Sequence, residues 1–365
     1  MKFQIVRSKF LEGLKFVQNI VVGKGSLPVL QNTLIEAKDG KLTLTTTDLD
    51  ISIRSTIDCE VLEEGQTTLP VKLLFNSISK VVEGVVEISV DEQEKATIVA
   101  GSAKFKLSGL PASDFPELPK DEQAAEYTLA QATMKEMFRK TSYAASQDDT
   151  RRTLKGVLMS FKDAMLTMVA TDGRRLAKVC SELEFPKSSE QDVVLPFKAV
   201  QELQRSLGTD ENVIVRVEKS QISFKLGNVT IYSKLIEDAY PNYEQVIPKQ
   251  NGEKIVIDRQ LLLDALERAS VMTMDEAHST KLIFTANMLT VTSAASEIGE
   301  AKDEVPIKYI GEKIEIMFNP SYVMDPLKAI DEDEVMILLK NGQSPAVITC
   351  ENCQFLYVLM PLRTN

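Results

Sequence analysis

The chain has 365 residues, 44% hydrophobic and 26% charged, with no tryptophan and a net charge of −11. Such a length suits two or three domains, each burying its own core, and the acidic balance excludes a uniformly basic nucleic-acid surface. No apolar run approaches the roughly 18 residues of a membrane span, and Met1-Lys2-Phe3-Gln4-Ile5-Val6 opens as a strand, not a signal segment, so a cytoplasmic protein is expected.

In chain order, the strand at Phe3 to Val6 precedes Phe10, Leu14 and Val17, whose i, i+4, i+7 spacing predicts an amphipathic helix. Leu42 to Ile53 reads as strand, turn at Asp48, strand. Thr67-Thr68-Leu69-Pro70 then leads into a second helix through Val81, because proline in a first helical turn loses no hydrogen bond and presets φ. Pro116 and Pro119 mark a linker.

The same order returns. Tyr127 opens a strand, and Met134, Met137, Phe138 and Thr141 repeat the first helical face. Leu166 to Val179 reads as a hairpin whose turn, Thr171-Asp172-Gly173, leads to Arg174 and Arg175. Val193-Val194-Leu195-Pro196 leads into a helix through Leu207, and Pro241 and Pro248 mark a second linker. A third copy runs from Ile255, with Leu262, Ala265, Leu266 and Ala269 on its helix, through Leu289 to Ile298. It continues at Ile316 to Pro320 and closes on Phe355 to Arg363. Pro70, Pro196 and Pro320 are 126 and 124 positions apart, and Asp48 to Asp172 is 124.

A repeat at fixed spacing signals duplicated units. Domains are expected at 1–120, 121–248 and 249–365, with net charges of −2, −2 and −7. Each reads as two β-α-β-β-β halves, an α+β architecture with antiparallel pairing. Pro326 inside the last helix predicts a kink or a shortened helix.

Catalytic chemistry is poorly supported. Gly23-Lys24-Gly25-Ser26 lacks the phosphate-cradling spacing, and the single histidine, His278, supports neither a triad nor a metal centre. Cys59, Cys180, Cys350 and Cys353 are expected to be free thiols. Cys350 and Cys353 have the spacing of half a zinc site or a redox pair, without a second pair or a nearby histidine. Neither cofactor nor metal is expected. An enzyme holding a divalent cation on Asp48 and Asp50, or on Asp331 to Glu334, is the chief alternative, and a peptide-binding scaffold that never encircles DNA is the second.

Thr171-Asp172-Gly173-Arg174-Arg175-Leu176, Ala112-Ser113-Asp114-Phe115-Pro116 and Tyr357-Val358-Leu359-Met360-Pro361-Leu362-Arg363, with the length and the repeat, resemble the bacterial DNA polymerase III beta subunits, the replicative sliding clamps. The resemblance covers essentially the whole chain. It implies the DNA-clamp fold, a head-to-tail homodimeric ring around duplex DNA, and a processivity factor without catalysis. Implied partners are double-stranded DNA, the DNA polymerase III alpha subunit, the clamp loader and other clamp-binding proteins, with no membrane.

It also implies roles for residues. Lys24, Lys72, Arg151, Arg152, Lys198 and Arg205 would lie near DNA, with Lys9, Lys135, Arg139, Arg259, Arg268 and Lys328 adding to a positive lining. Phe105 and Leu107 would meet Val271 and Met272 across the subunit joint. Leu154, Thr171, Gly173, Arg174, Arg175, Leu176, Pro241, Val246, Val358, Met360, Pro361, Leu362 and Arg363 would form a cleft for partner peptides, with arginine orienting the peptide's polar groups. Arg174 stands where many members of the family carry histidine.

Overall fold

The computed structural model describes residues 1–21, 27–117, 124–249, 252–272, 279–295, 299–351 and 353–362, the side chains of 294 and 295 excepted. Lys24, Pro119, His278 and Arg363 lie outside the described residues.

The repeat appears as six similar halves. The first is β1 (Lys2–Val6), α1 (Arg7–Val17), β2 (Asn32–Lys38), β3 (Lys41–Thr47) and β4 (Ile51–Asp58). An extra strand, β5 (Glu60–Glu63), precedes β6 (Gly65–Pro70), α2 (Val71–Lys80), β7 (Val85–Val90), β8 (Lys95–Ala100) and β9 (Ala103–Ser108). The third half is β10 (Ala125–Ala130), α3 (Gln131–Thr141), β11 (Gly156–Lys162), β12 (Met165–Thr171) and β13 (Arg175–Glu182). The fourth is β14 (Gln191–Pro196), α4 (Phe197–Ser206), β15 (Asn212–Val217), β16 (Gln221–Leu226) and β17 (Val229–Lys234). Next come β18 (Glu253–Asp258), α5 (Arg259–Ser270), β19 (Thr280–Thr285), β20 (Met288–Ala295) and β21 (Gly299–Lys308). The last half is β22 (Ile314–Phe318), α6 (Pro320–Ala329), β23 (Glu334–Leu339), β24 (Ala346–Thr349) and β25 (Phe355–Leu359). Each half is β-α-β-β-β, as the periodicity predicts.

Two compact units result, Met1–Lys135 with Gln201–Leu235, and Glu136–Val200 with Ile236–Asn365. The first holds a five-stranded sheet (β5-β1-β7-β8-β9) and an eight-stranded one (β10-β15-β16-β17-β4-β3-β2-β6). The second holds one twelve-stranded sheet, β14-β11-β12-β13-β25-β24-β23-β18-β21-β20-β19-β22. Within each repeat the opening strand of a half pairs with a strand of the other half: β1 with β7 and β6 with β2, β10 with β15 and β14 with β11, β18 with β23 and β22 with β19.

The helices bury one stripe each: Phe10, Leu14 and Val17 on α1, Met134, Met137 and Phe138 on α3, Leu262, Ala265, Leu266 and Ala269 on α5. Burial of a large apolar side chain contributes about 1.5–3 kcal/mol, and these stripes fasten helices whose propensity alone would not hold ten or so residues in water.

Three expectations need correction. Pro70 and Pro196 end their strands one residue before the helix, and only Pro320 stands in a first turn. Helix α6 is not shortened by Pro326: it has ten residues, as α2 and α4 do. Its start is capped by Asn319, whose side chain accepts from the Ser321 N–H at 3.0 Å. The Tyr322 carbonyl, which would have paired with the N–H that Pro326 lacks, instead accepts from the Tyr357 hydroxyl at 2.8 Å. Finally, Cys350 and Cys353 are joined as a disulfide, because the turn after β24 brings their Cα atoms to 5.5 Å. Cys59 and Cys180 are free thiols, as expected.

Candidate functional site

The β12–β13 turn is built by its own polar side chains. The Asp172 carboxylate accepts from the backbone N–H groups of Arg174 (2.8 Å) and Arg175 (3.0 Å). The Thr171 hydroxyl accepts from Gly173 N–H (3.1 Å) and donates to the Arg175 carbonyl (2.5 Å). Gly173 sits at φ 86°. The β3–β4 turn copies this atom for atom: Asp48 accepts from Asp50 and Ile51, Thr47 accepts from Leu49 and donates to Ile51, and Leu49 has φ 80°.

Each turn also ends a joint between halves. The Met360 N–H donates to the Arg174 carbonyl at 2.9 Å where β25 runs antiparallel to β13, and the Lys234 N–H donates to the Asp50 carbonyl at 2.9 Å where β17 runs beside β4. The Thr-Asp turn is therefore a joint-building device, and what distinguishes the β13–β25 joint is its decoration. There a glycine replaces Leu49, and apolar Met360 stands where Lys234 pairs with Asp50 at 3.2 Å.

Arg175 is the keystone of that joint. Its Nε donates to Asp172 at 3.0 Å, one terminal nitrogen to Asp325, and the other to the Tyr143 carbonyl at 2.7 Å. Its guanidinium lies 4.1 Å from the Tyr322 ring centroid. Burial alone would lower its pKa, yet Tyr357, Asp325 and Asp172 hold it above the ordinary value, so it is a permanent cation. Burial likewise pushes the Tyr143 and Tyr357 hydroxyls up, keeping both neutral. All three guanidinium nitrogens are thus engaged within the chain, whereas Arg174 beside it is exposed. Replacing Tyr357 by phenylalanine should strand the Tyr322 carbonyl and lower stability by about 1–2 kcal/mol, read from urea denaturation.

The apolar surface is layered. Leu176 and Val358 are buried among Leu158, Val169, Val194 and Val347, with half-buried Tyr240 and Tyr243 packed against them. They form a floor. Val246, Met360 and Leu362, by contrast, expose 56%, 49% and 40% of their surface, high values for large apolar side chains. Thr171 and Pro361 are half-buried, and the Leu362 N–H is tethered to the Met317 carbonyl at 2.8 Å. Leu154, half-buried, and Pro241, exposed, line a cavity of about 330 Å³ with Thr150, Arg151, Arg152 and Asp238. Two arginines expected near DNA therefore stand on the rim of this cavity. Sequence reading missed Tyr143, Tyr322 and Asp325, since only the fold brings them to Arg175.

The other expected cations are less free than the sequence implies. Arg205 pairs with Glu202 at 2.5 Å, Lys328 with Glu267 at 2.9 Å, Arg268 with Asp303 at 2.6 Å and Arg139 with Asp331. Lys135 donates to the Leu207 carbonyl and Arg259 to those of Glu332 and Leu327. Lys72 and Lys198 are exposed on α2 and α4. The acidic run is used in the same way: Glu332 lies 3.8 Å from Lys140, and Glu334 pairs with Lys308 at 2.5 Å. The hydrogen bond from Arg139 holds the Asp331 carboxyl below its ordinary value of 3.8. A depressed carboxylate stabilises above its unfolded pKa and loses that contribution as pH falls through the folded one. An Arg139→Gln variant should accordingly be less stable than the parent at pH 7, by under about 1 kcal/mol, with the gap closing below pH ~3.8 in parallel denaturation curves.

Of the expected interface residues, Phe105 and Leu107 are half-buried on β9, the last strand of its sheet. Val271 is 62% exposed just beyond α5, and the Met272 sulfur lies beside Gly299 at the start of β21.

The chain matches the DNA polymerase III beta subunit N-terminal domain over residues 1–119, its central domain over 128–242 and its C-terminal domain over 244–363. Beta sliding clamps of Chlamydia muridarum and Escherichia coli are each 34% identical to it, over the full length of both chains. A crystal structure of the Pseudomonas aeruginosa DNA polymerase sliding clamp with ligand, 32% identical, superposes with a TM-score of 0.96 over the whole of both chains. The sliding clamp of Bartonella birtlesii bound to griselimycin, 33% identical, does so with 0.95 over the whole of both chains. Three α+β repeats of this pattern define a processivity clamp of DNA replication, not an enzyme. The chain belongs to the DNA polymerase III beta subunit family, the beta sliding clamps.

Proposed function

We propose that this sliding clamp works as a head-to-tail homodimeric ring that encloses duplex DNA and tethers the DNA polymerase III alpha subunit, after a clamp loader has opened it. The domains would be 1–120, 121–248 and 249–365. The pattern of strand joints carries this reading. Within the chain, the last strand of a first half pairs with the last strand of a second half twice, β4 with β17 and β13 with β25. Strand β9 and the Gly299–Pro306 edge of β21 are the corresponding strands left with no such neighbour among the described residues. Two copies supply both missing joints at once, a heterologous contact that closes after two subunits. Phe105 and Leu107 of one copy then approach Val271 and Met272 of the other.

Lys24, Lys72, Arg151, Arg152, Lys198 and Arg205 would meet phosphates. Because several helix cations are already paired with carboxylates, the attraction is weak and salt-sensitive, which suits a ring held by enclosure and free to move. Met360, Leu362, Val246, Leu154 and Pro241 would take the apolar anchors of partner peptides, over the floor of Leu176 and Val358. Thr171, Gly173, Pro361 and Arg363 would shape the walls. Arg175 would hold the floor in shape, leaving Arg174 to meet a peptide's polar groups.

The test is retention. After loading on nicked circular DNA, the clamp should co-elute with the circle through a high-salt gel-filtration column and be released when one cut linearises it. Equal retention on both forms would indicate ordinary DNA affinity and remove the topological mechanism. No retention on either, with peptide binding intact, would leave a scaffold.

A further inference from the structure

We infer that Cys350, Cys353 and Glu332 form a redox-gated site for a thiophilic divalent cation, with zinc as its natural chemistry. The sulfur atoms of both cysteines and a Glu332 carboxylate oxygen lie within 4.8 Å of one another, on two different turns of the second unit. One turn follows β24 and the other follows α6, so the group comes from two segments 18 residues apart that packing brings together. Cys350 is buried, while Cys353 and Glu332 are half-buried. The backbone N–H of Cys350 points at the Cys353 sulfur at 3.2 Å.

Two thiolates and one carboxylate supply three ligands, the number that leaves a tetrahedral zinc ion one position for water. Soft thiolates select against magnesium and calcium. The competing groups do not close the site. Lys140 is 3.8 Å from Glu332 and keeps its shorter pairing, 2.6 Å, with Glu136, and the Asp331 N–H occupies one lone pair of the Glu332 carboxylate at 3.1 Å.

The disulfide in the structure is the closed state of this site. A thiol reductant opens it by exchange: two reductant thiols are oxidised to their own disulfide, and the two cysteines each gain an electron and a proton. Binding of zinc then displaces the two thiol protons to solvent. Since Cys353 shortly precedes β25, which leads to Met360 and Leu362, the gate stands at the base of the strand that carries the cleft.

Zinc and cobalt content of the full-length protein decide the matter. Reduced protein, desalted after incubation with zinc, should retain one equivalent by elemental analysis. Cobalt in its place should give the intense visible bands of tetrahedral coordination and a thiolate charge-transfer band. Diamide-oxidised protein should retain none, Cys353→Ser should retain none, and Glu332→Gln should bind at least about tenfold more weakly, since even an outer-shell partner is worth that much. Circular dichroism confirms that each variant is folded, and Cys180→Ala, altering a thiol elsewhere, should bind as the parent does. Absence of stoichiometric metal in the reduced parent would overturn the inference. So would metal retained by Cys353→Ser or by the oxidised protein, or an undiminished affinity in Glu332→Gln.

Discussion

Replacing Arg175 with alanine is expected to lower stability by about 3 kcal/mol, at the bottom of the range for breaking a buried ion pair, because Asp172 and Asp325 retain some contact with water. Three donors vanish together with the stacking on Tyr322, and the two carboxylates then face each other without a cation. Since the same side chain holds the β12–β13 turn against α6, a fluorescent peptide carrying apolar anchors should bind at least about tenfold more weakly, a change of 1.4 kcal/mol. Arg175→Lys keeps the charge without the planar fork and should recover only part of either quantity. Arg174→Ala should leave the denaturation midpoint unchanged and weaken only peptides that bear a carboxylate. If Arg175→Ala melts as the parent does while peptide binding alone is lost, Arg175 is a direct ligand and its structural role is wrong.

The joint between copies gives the second large effect. The parent should sediment at twice its 40.6 kDa chain mass. A Leu107→Asp, Val271→Asp double variant should sediment at the chain mass, since each joint would then bury two carboxylates without a cation. Val271 is already exposed and Leu107 is at a sheet edge, so the fold should survive, with an unchanged far-ultraviolet spectrum. The same variant should lose retention on circular DNA while still binding peptide. A parent that sediments as a single chain at micromolar concentration, or a double variant that remains dimeric, would place the joint elsewhere.

Much of the fold was legible before any coordinates. Strand and helix periodicities, the Thr-Asp turns at 47–48 and 171–172 and the recurring prolines are local signals, and each of the six halves could be counted from them. The residues proposed for the cleft come from the family resemblance, and their burial cannot be read from it. Leu176 and Val358 look interchangeable with Met360 and Leu362 in a sequence, yet the first two are buried as a floor and the last two are exposed.

Charge was the least legible property. The pairing of the helix cations is hidden in the sequence because their partners are remote in the chain: Asp331 for Arg139, Asp303 for Arg268, Glu267 for Lys328. The resemblance assigns Arg175 to the peptide cleft, and long-range contacts with Asp325, Tyr322 and Tyr357 make it a structural cation. Pro326 predicts a kink or a shortened helix by its local chemistry; α6 keeps ten residues, and a hydroxyl from β25 takes up the freed carbonyl.

By itself, then, the sequence determined the repeat, the α+β class, the absence of a recognisable catalytic motif and the family. These depend on spacing and on backbone preferences that act within a few residues. Only the tertiary structure decided which apolar side chains remain exposed, which cations are already neutralised and which sulfurs meet. Burial and pairing energies depend on neighbours brought from far along the chain, and no local pattern encodes them.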